Sequence, residues 1–212
     1  MSAIEILKSV NTRIMRCPDG CKCTTMGCKD WLHGMHIWPS PGYFGKSFDT
    51  ETDVLFIAQN PGKPVLGVDS IQYANDTDMS VEYRMRAYGN VLRHHYRATQ
   101  EIMRELKIDF DHFAWTNVVK CPVDNNRPVH AVEYDLCKHW LREQCSILQP
   151  KLCVAIGSYA ANYFGNGSII QHKTHIRTLQ GGSVIFRSHY AHSDLGAWIT
   201  DLKFELDKVR GA

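Results

Sequence analysis

Four short apolar runs, each ending in a turn or a polar cluster, limit what this chain can become. Asp53-Val-Leu-Phe-Ile-Ala58, His112 to Val118, Lys151-Leu-Cys-Val-Ala-Ile156 and Ser183-Val-Ile-Phe-Arg187 are short and continuous rather than alternating. Runs of this kind suit strands covered on both faces, as in a parallel sheet. Between them lie helical segments. Residues 2–16 place Ile4, Ile6, Leu7, Val10 and Ile14 close to helical spacing, and further helices are expected over about 81–105, from Pro128 to about 147, from 157 to 161 and over 194–209. Strands alternating with helices imply βαβ units. The expected fold is α/β: a three-layer α/β/α sandwich around a central, mainly parallel four-stranded sheet. In such sheets ligands bind beyond the carboxyl ends of the strands. The segments found there are Gln59-Asn-Pro-Gly62, Asn117 to Cys121, Gly157-Ser158 and Ser188-His-Tyr-Ala-His192.

A chain of 212 residues is long enough for one sizeable core, so residues 1–212 read as a single domain, with 17–50 a loop-rich segment rich in cysteine. The net charge of +2 neither demands nor excludes nucleic acid. No apolar run approaches the ~18–20 residues of a membrane span, and the start lacks a signal-peptide core. The expectation is a protein with no membrane association, cytoplasmic or, in a nucleated host, nuclear. Eight cysteines in such a setting point to metal ligation and burial rather than a disulfide framework. Cys145 and Cys153, set among apolar residues, read as buried thiols.

The segment Trp115-Thr-Asn-Val-Val-Lys-Cys121 joins two kinds of chemistry. Asn117, at a strand end, carries an amide donor and acceptor that match the paired carbonyl and N–H on the edge of a uracil-like base. A turn-capping role is its alternative. Cys121 begins a C-x₁₅-C spacing to Cys137 on the following helix. Thiolates are soft ligands for iron–sulfur clusters or zinc. Further ligands come from Cys17, Cys21, Cys23 and Cys28, spaced C-x₃-C-x-C-x₄-C. A zinc site using all four N-terminal cysteines is the competing arrangement. Gln59 and Asn60, before Pro-Gly, form a tight turn whose backbone can approach a ligand closely.

These residues resemble the uracil-DNA glycosylase superfamily, and within it the branch carrying an iron–sulfur cluster. That branch has an N-terminal cysteine pair, a strand ending in G-E-x-P-G, a T-N-V-V-K-C strand end with N-R-x-P downstream, and a cysteine fifteen residues after the first. A strand ending in L-G-x-x-A and a late H-P-[SA] loop complete its pattern. The counterparts here are Ala58-Gln-Asn-Pro-Gly62, Thr116-Asn-Val-Val-Lys-Cys121, Asn126-Arg-Pro128, Cys137, Ile156-Gly-Ser-Tyr-Ala160 and His189-Tyr-Ala191. Two departures stand out: the first turn, with Asn60, lacks the branch's Gly-Glu, and Tyr190 takes the place of proline.

The resemblance implies a DNA glycosylase that flips a uracil or other modified pyrimidine out of the stack and hydrolyses its glycosidic bond. It implies a 4Fe-4S cluster, with zinc as the alternative, held by Cys121, Cys137 and two of Cys17, Cys21, Cys23 and Cys28. In this scheme Asn117 reads the base and Tyr73 stacks on it. Gln59 and Asn60 hold the hydrolytic water, and His189 donates to the departing base. Tyr190, His192 and Arg187 are candidate DNA contacts, and Leu195 a further candidate for filling the vacated stack. The partner is DNA, single- or double-stranded, and the protein a monomer. Arg84, Arg86, Arg93, His94, His95 and Arg97 give a locally basic helix, either a solvated face or a phosphate contact. Two other readings stay open: a glycosylase for a hypermodified base, such as a viral one, and a non-catalytic DNA-binding protein. The second is favoured by the lack of an acidic residue in the Ala58–Gly62 turn.

Overall fold

The computed structural model describes residues 3–17, 39–51, 53–61, 80–121, 129–165, 175–179, 182–187 and 195–211. Helix α1 (Ala3–Met15) is followed by strand β1 (Tyr43–Phe44), β2 (Val54–Ala58), helix α2 (Val81–His95), α3 (Arg97–Leu106) and β3 (Ala114–Asn117). Next come α4 (Ala131–Leu148), β4 (Leu152–Ile156), α5 (Ser158–Tyr163), the strands β5 (His175–Leu179) and β6 (Gly182–Arg187), and α6 (Leu195–Gly211). The strands form one sheet in the order β1-β3-β2-β4-β6-β5. The four inner strands are parallel, and β1 and β5 add an antiparallel strand at each edge.

Neighbouring residues of β2 face opposite layers. Val54, Phe56 and Ala58 join Trp115, Val154 and Ile156 in a core closed by Tyr88 and Leu92 of α2, Ile102 and Leu106 of α3, and Trp198 and Leu202 of α6. Leu55 and Ile57 face the other way, with Ala114, Cys153 and Ala155, onto Leu7 of α1, Leu141 and Leu148 of α4 and Ala160 of α5. This is the three-layer sandwich, and it explains the unbroken apolar runs: every residue of β2 and β4 is buried.

Helix boundaries follow local chemistry. Ser80 caps α2, its hydroxyl accepting from the Tyr83 N–H at 3.2 Å. The expected single helix over 81–105 is broken at Tyr96, which is extended (φ −103, ψ 98), so that α3 starts afresh at Arg97. The helix expected to open at Pro128 begins at Ala131 instead, where the Glu133 carboxylate accepts from the His130 N–H at 2.8 Å. Pro128 itself lies outside the described residues. Among the described residues no helix is long and apolar enough to cross a membrane.

Candidate functional site

The parallel register brings the chemistry to one edge. Ala58 pairs with Asn117, Ile57 with Ala155, and Ile156 with Arg187. The four inner strands therefore finish side by side, and the segments expected to carry function leave from a common rim. The segments after β2 and β3 are laced together: Val118 N–H donates to Ala58 O and Val119 N–H to Gln59 O, each at 2.9 Å. Tyr96, at the break between α2 and α3, donates its hydroxyl to Pro61 O at 3.2 Å and tethers the same turn from above.

Asn117 is fully buried at the rim. Its Nδ2 donates to the Tyr88 hydroxyl at 3.0 Å. Among the described residues its Oδ1 has no hydrogen-bond partner, and neither has the buried Nδ2 of Asn60. A buried polar atom left unpaired costs about 1–3 kcal/mol. An acceptor and a donor left open on adjacent strand ends are what a planar polar ligand would repay.

A buried lysine lies against the Asn117 backbone. Lys120 Nζ donates to Asn117 O at 2.6 Å, Gln144 Oε1 at 2.6 Å and Thr116 Oγ1 at 2.8 Å. Gln144 in turn donates to Asn11 Oδ1 at 3.0 Å and Pro41 O at 2.8 Å. Burial pulls the Lys120 pKa down to about 7, while the three oxygens around it favour the ammonium. The network joins α1, the segment before β1, the end of β3 and α4. Gly42 belongs to it: with φ +100, a Cβ there would stand 2.5 Å from Trp115 O, so only glycine lets this segment lie against β3.

Cys121 and Cys137 share a buried group with Val119 and Val129, lined by Tyr134, Leu136 and Tyr159. Cys17, at the end of α1, packs against Val10, Ile14 and Trp140, and Trp140 lies one turn beyond Cys137 on α4. The two thiols of the first group fit part of the donor set of a thiolate-bound metal. Among the described residues, however, no three Cys, His, Asp or Glu side chains gather closely enough to hold an ion. Cys21, Cys23 and Cys28 lie outside the described residues. Cys153 is the buried thiol expected and Cys145 packs half-buried against the same core; desolvation raises both thiols above their ordinary value.

Tyr73, His189, Tyr190 and His192 also lie outside the described residues, and Arg187 closes β6. Leu195, half-buried, packs against the core at the start of α6. Arg84 is buried, so it is not part of the solvated basic face. Arg86, Arg93, His94 and Arg97 are exposed. Tyr88, Tyr96, Lys120 and Gln144 were not among the expected site residues. The one trace of them in the sequence is Lys120, a charged residue directly after an apolar strand end.

The family model of the uracil DNA glycosylase superfamily matches residues 46–200, which includes β2, β3, β4, β6 and the rim they form. The chain belongs to the uracil DNA glycosylase superfamily. Within it, the chain is similar to a type-4 uracil-DNA glycosylase of Sulfurisphaera tokodaii, 27% identical over 136 residues, covering 64% of this chain and 51% of that one. It is also similar to a type-4 uracil-DNA glycosylase of Thermotoga maritima, 37% identical over 67 residues, covering 32% of this chain and 35% of the relative. The matched stretch spans about half the length of the first relative and about a third of the second. The type-4 names of both relatives agree with the family 4-like branch that the TNVVKC block and Cys137 resemble.

Proposed function

We propose that the protein is a DNA N-glycosylase that takes a uracil or other modified pyrimidine base out of the helix and hydrolyses its bond to the sugar. The observation that carries this reading is the open pair of buried polar atoms, Asn117 Oδ1 and Asn60 Nδ2, on adjoining strand ends of a superfamily member. Asn117 accepts from the base edge. Asn60 and Gln59 orient the water whose oxygen bonds to the sugar carbon as the sugar–base bond breaks. The bonding pair leaves with the base, and the water proton passes to the base or to solvent. Asn60 is a weak base, but a sugar centre that has become cation-like needs little push from the nucleophile. His189 donates to the base carbonyl as negative charge grows there. Tyr73 stacks on the base, Tyr190, His192 and Arg187 meet the DNA, and the protein acts as a monomer.

A 4Fe-4S cluster held by Cys121, Cys137 and two of Cys17, Cys21, Cys23 and Cys28 completes the proposal. When bound, the cluster supplies a structural cross-link between the N-terminal segment, the end of β3 and α4. Iron and sulfide analysis of the purified protein, with its visible absorption, separates it from colourless zinc.

The reading is tested on oligonucleotides carrying uracil, other deaminated bases and hypermodified pyrimidines, in single and double strands, by alkali cleavage at abasic sites. Activity on uracil that is lost in Asn117→Ala and in His189→Ala supports it. DNA binding without abasic product on every substrate would establish the non-catalytic alternative, which the absence of a carboxylate from the 58–62 turn favours.

A further inference from the structure

Helix α4 carries a buried donor with nothing to receive it. Trp140 is 6% exposed, and among the described residues its indole Nε1 has no hydrogen-bond partner. An indole N–H is a donor only, so the ring cannot be turned to make it an acceptor. A donor taken out of water and left open is costly to a fold. The hydrophobic side chains packed with the ring are Val10, Ile14 and Ile147, together with Cys17. Arg13, whose guanidinium stands 5.6 Å from the ring centre, has no acceptor to offer.

The place of this residue among the cysteines is specific. Trp140 follows Cys137 by three residues on α4, so the two share one face of the helix. Long side chains on a helix lean back over the preceding turn, here the turn of Cys137. Cys137 is buried and joins Cys121 in the neighbouring group. Trp140 thus stands between the pair Cys121 and Cys137 on one side and the end of α1, with Cys17, on the other.

Sulfur is the acceptor that this placement calls for. We propose that Trp140 donates its indole N–H to a sulfur of the cluster, thiolate or sulfide, and so raises the cluster's reduction potential. Hydrogen bonds to the sulfurs are among the factors that set such potentials. Reduction adds negative charge at the sulfurs, so the bond is stronger in the reduced level, and its removal makes reduction harder. The inference rests on the cluster proposed above.

The test uses the full-length holoprotein as wild type, Trp140→Phe and Ile14→Val. Phenylalanine keeps an aromatic ring in the packing and removes the N–H. Ile14→Val loosens the same packing and keeps the N–H. The midpoint potential is measured by redox titration followed in visible absorption, with iron determined on each protein. The expected result is a reduction equilibrium about tenfold less favourable in Trp140→Phe, a shift of ~59 mV to lower potential for a one-electron couple, with Ile14→Val close to wild type. A second measurement needs no variant. In wild type labelled at the indole nitrogens of its five tryptophans, one N–H resonance is expected to be displaced by the unpaired spin of the cluster. That resonance decides the matter if Trp140→Phe takes up no iron. An unchanged potential in Trp140→Phe, an equal shift in Ile14→Val, or indole resonances all at ordinary positions overturns the inference, while an iron-loaded wild type leaves the cluster standing. A wild type without iron overturns the inference and the cluster together. Cleavage of uracil DNA by that wild type bears on the glycosylase reading alone.

Discussion

At the scale of single residues, the account turns on buried polar groups and what satisfies them. Lys120 is the clearest case. Methionine in its place would keep the apolar stem and strip Asn117 O, Gln144 Oε1 and Thr116 Oγ1 of a shared donor. Gln144 Oε1 keeps the Thr116 hydroxyl as a donor at 3.0 Å, so the loss falls chiefly on Asn117 O, and Lys120→Met is expected to destabilise the fold by about 1–3 kcal/mol, read from urea unfolding. A second residue gives a pH dependence. Asp53 is buried beside His112, whose Nδ1 lies 2.9 Å from Asp53 Oδ2, and that hydrogen bond raises the His112 pKa. A raised basic group stabilises the fold fully below its unfolded value, near ~6.5, and loses that contribution as pH climbs through its folded value. The urea midpoint should therefore fall between about pH 6 and about pH 9 by more in wild type than in His112→Gln. An equal fall in both proteins would remove the role assigned to the pair. Asn117 and the cysteines of the 121–137 block could be singled out from type and spacing. Tyr88 and Gln144 could not, because a helical pattern says which face is buried and nothing about which strand end that face will meet.

At the scale of elements, β2, β3 and β4 are buried along their length and announce themselves as unbroken apolar runs; β6 was legible from the same apolar character in its sequence. The edge strands were not. β1 has only two residues, and β5 stands in a stretch without that apolar continuity. The break at Tyr96 was hidden for another reason: no glycine or proline marks it, and the tether from its hydroxyl to Pro61 O is a tertiary contact. The same helix supplies a test of packing. Gly89→Ala gains about 0.5–1 kcal/mol of helix propensity, but crowding the Tyr43–Phe110 stack costs about 1–3 kcal/mol. A net loss of stability is expected, together with weaker uracil binding as α2 is pushed from the sheet. A stabilised variant with unaltered binding would show that the close approach is not needed.

At the scale of the whole molecule, the α1–α4 side of the sheet has two fastenings. One is the Lys120–Gln144–Asn11 network. The other, in the proposed function, is the cluster that crosses from Cys121 and Cys137 to the N-terminal cysteines. Cys137→Ala is expected to lose iron and visible colour together and to lower the thermal midpoint. The parallel core and its far face should persist in circular dichroism, since their packing does not involve the cysteines of that block. A colourless wild type containing stoichiometric zinc would replace the cluster with the competing arrangement. The sheet and its rim were legible in the sequence because patterning sets layers. The contact between Asn117 and Tyr88 was not, because it joins a helix and a strand end 29 residues apart.

In the proposed function the turn after β2 and the end of β3 form one pocket for a single extruded base. A crystal structure of the protein with uracil and abasic-site DNA tests it most directly. The account requires the ring N–H of uracil within hydrogen-bond distance of Asn117 Oδ1, with the Asn60 side chain on the same ligand or on a water beside the sugar. Uracil bound elsewhere, or Asn117 and Asn60 facing different cavities, would contradict it.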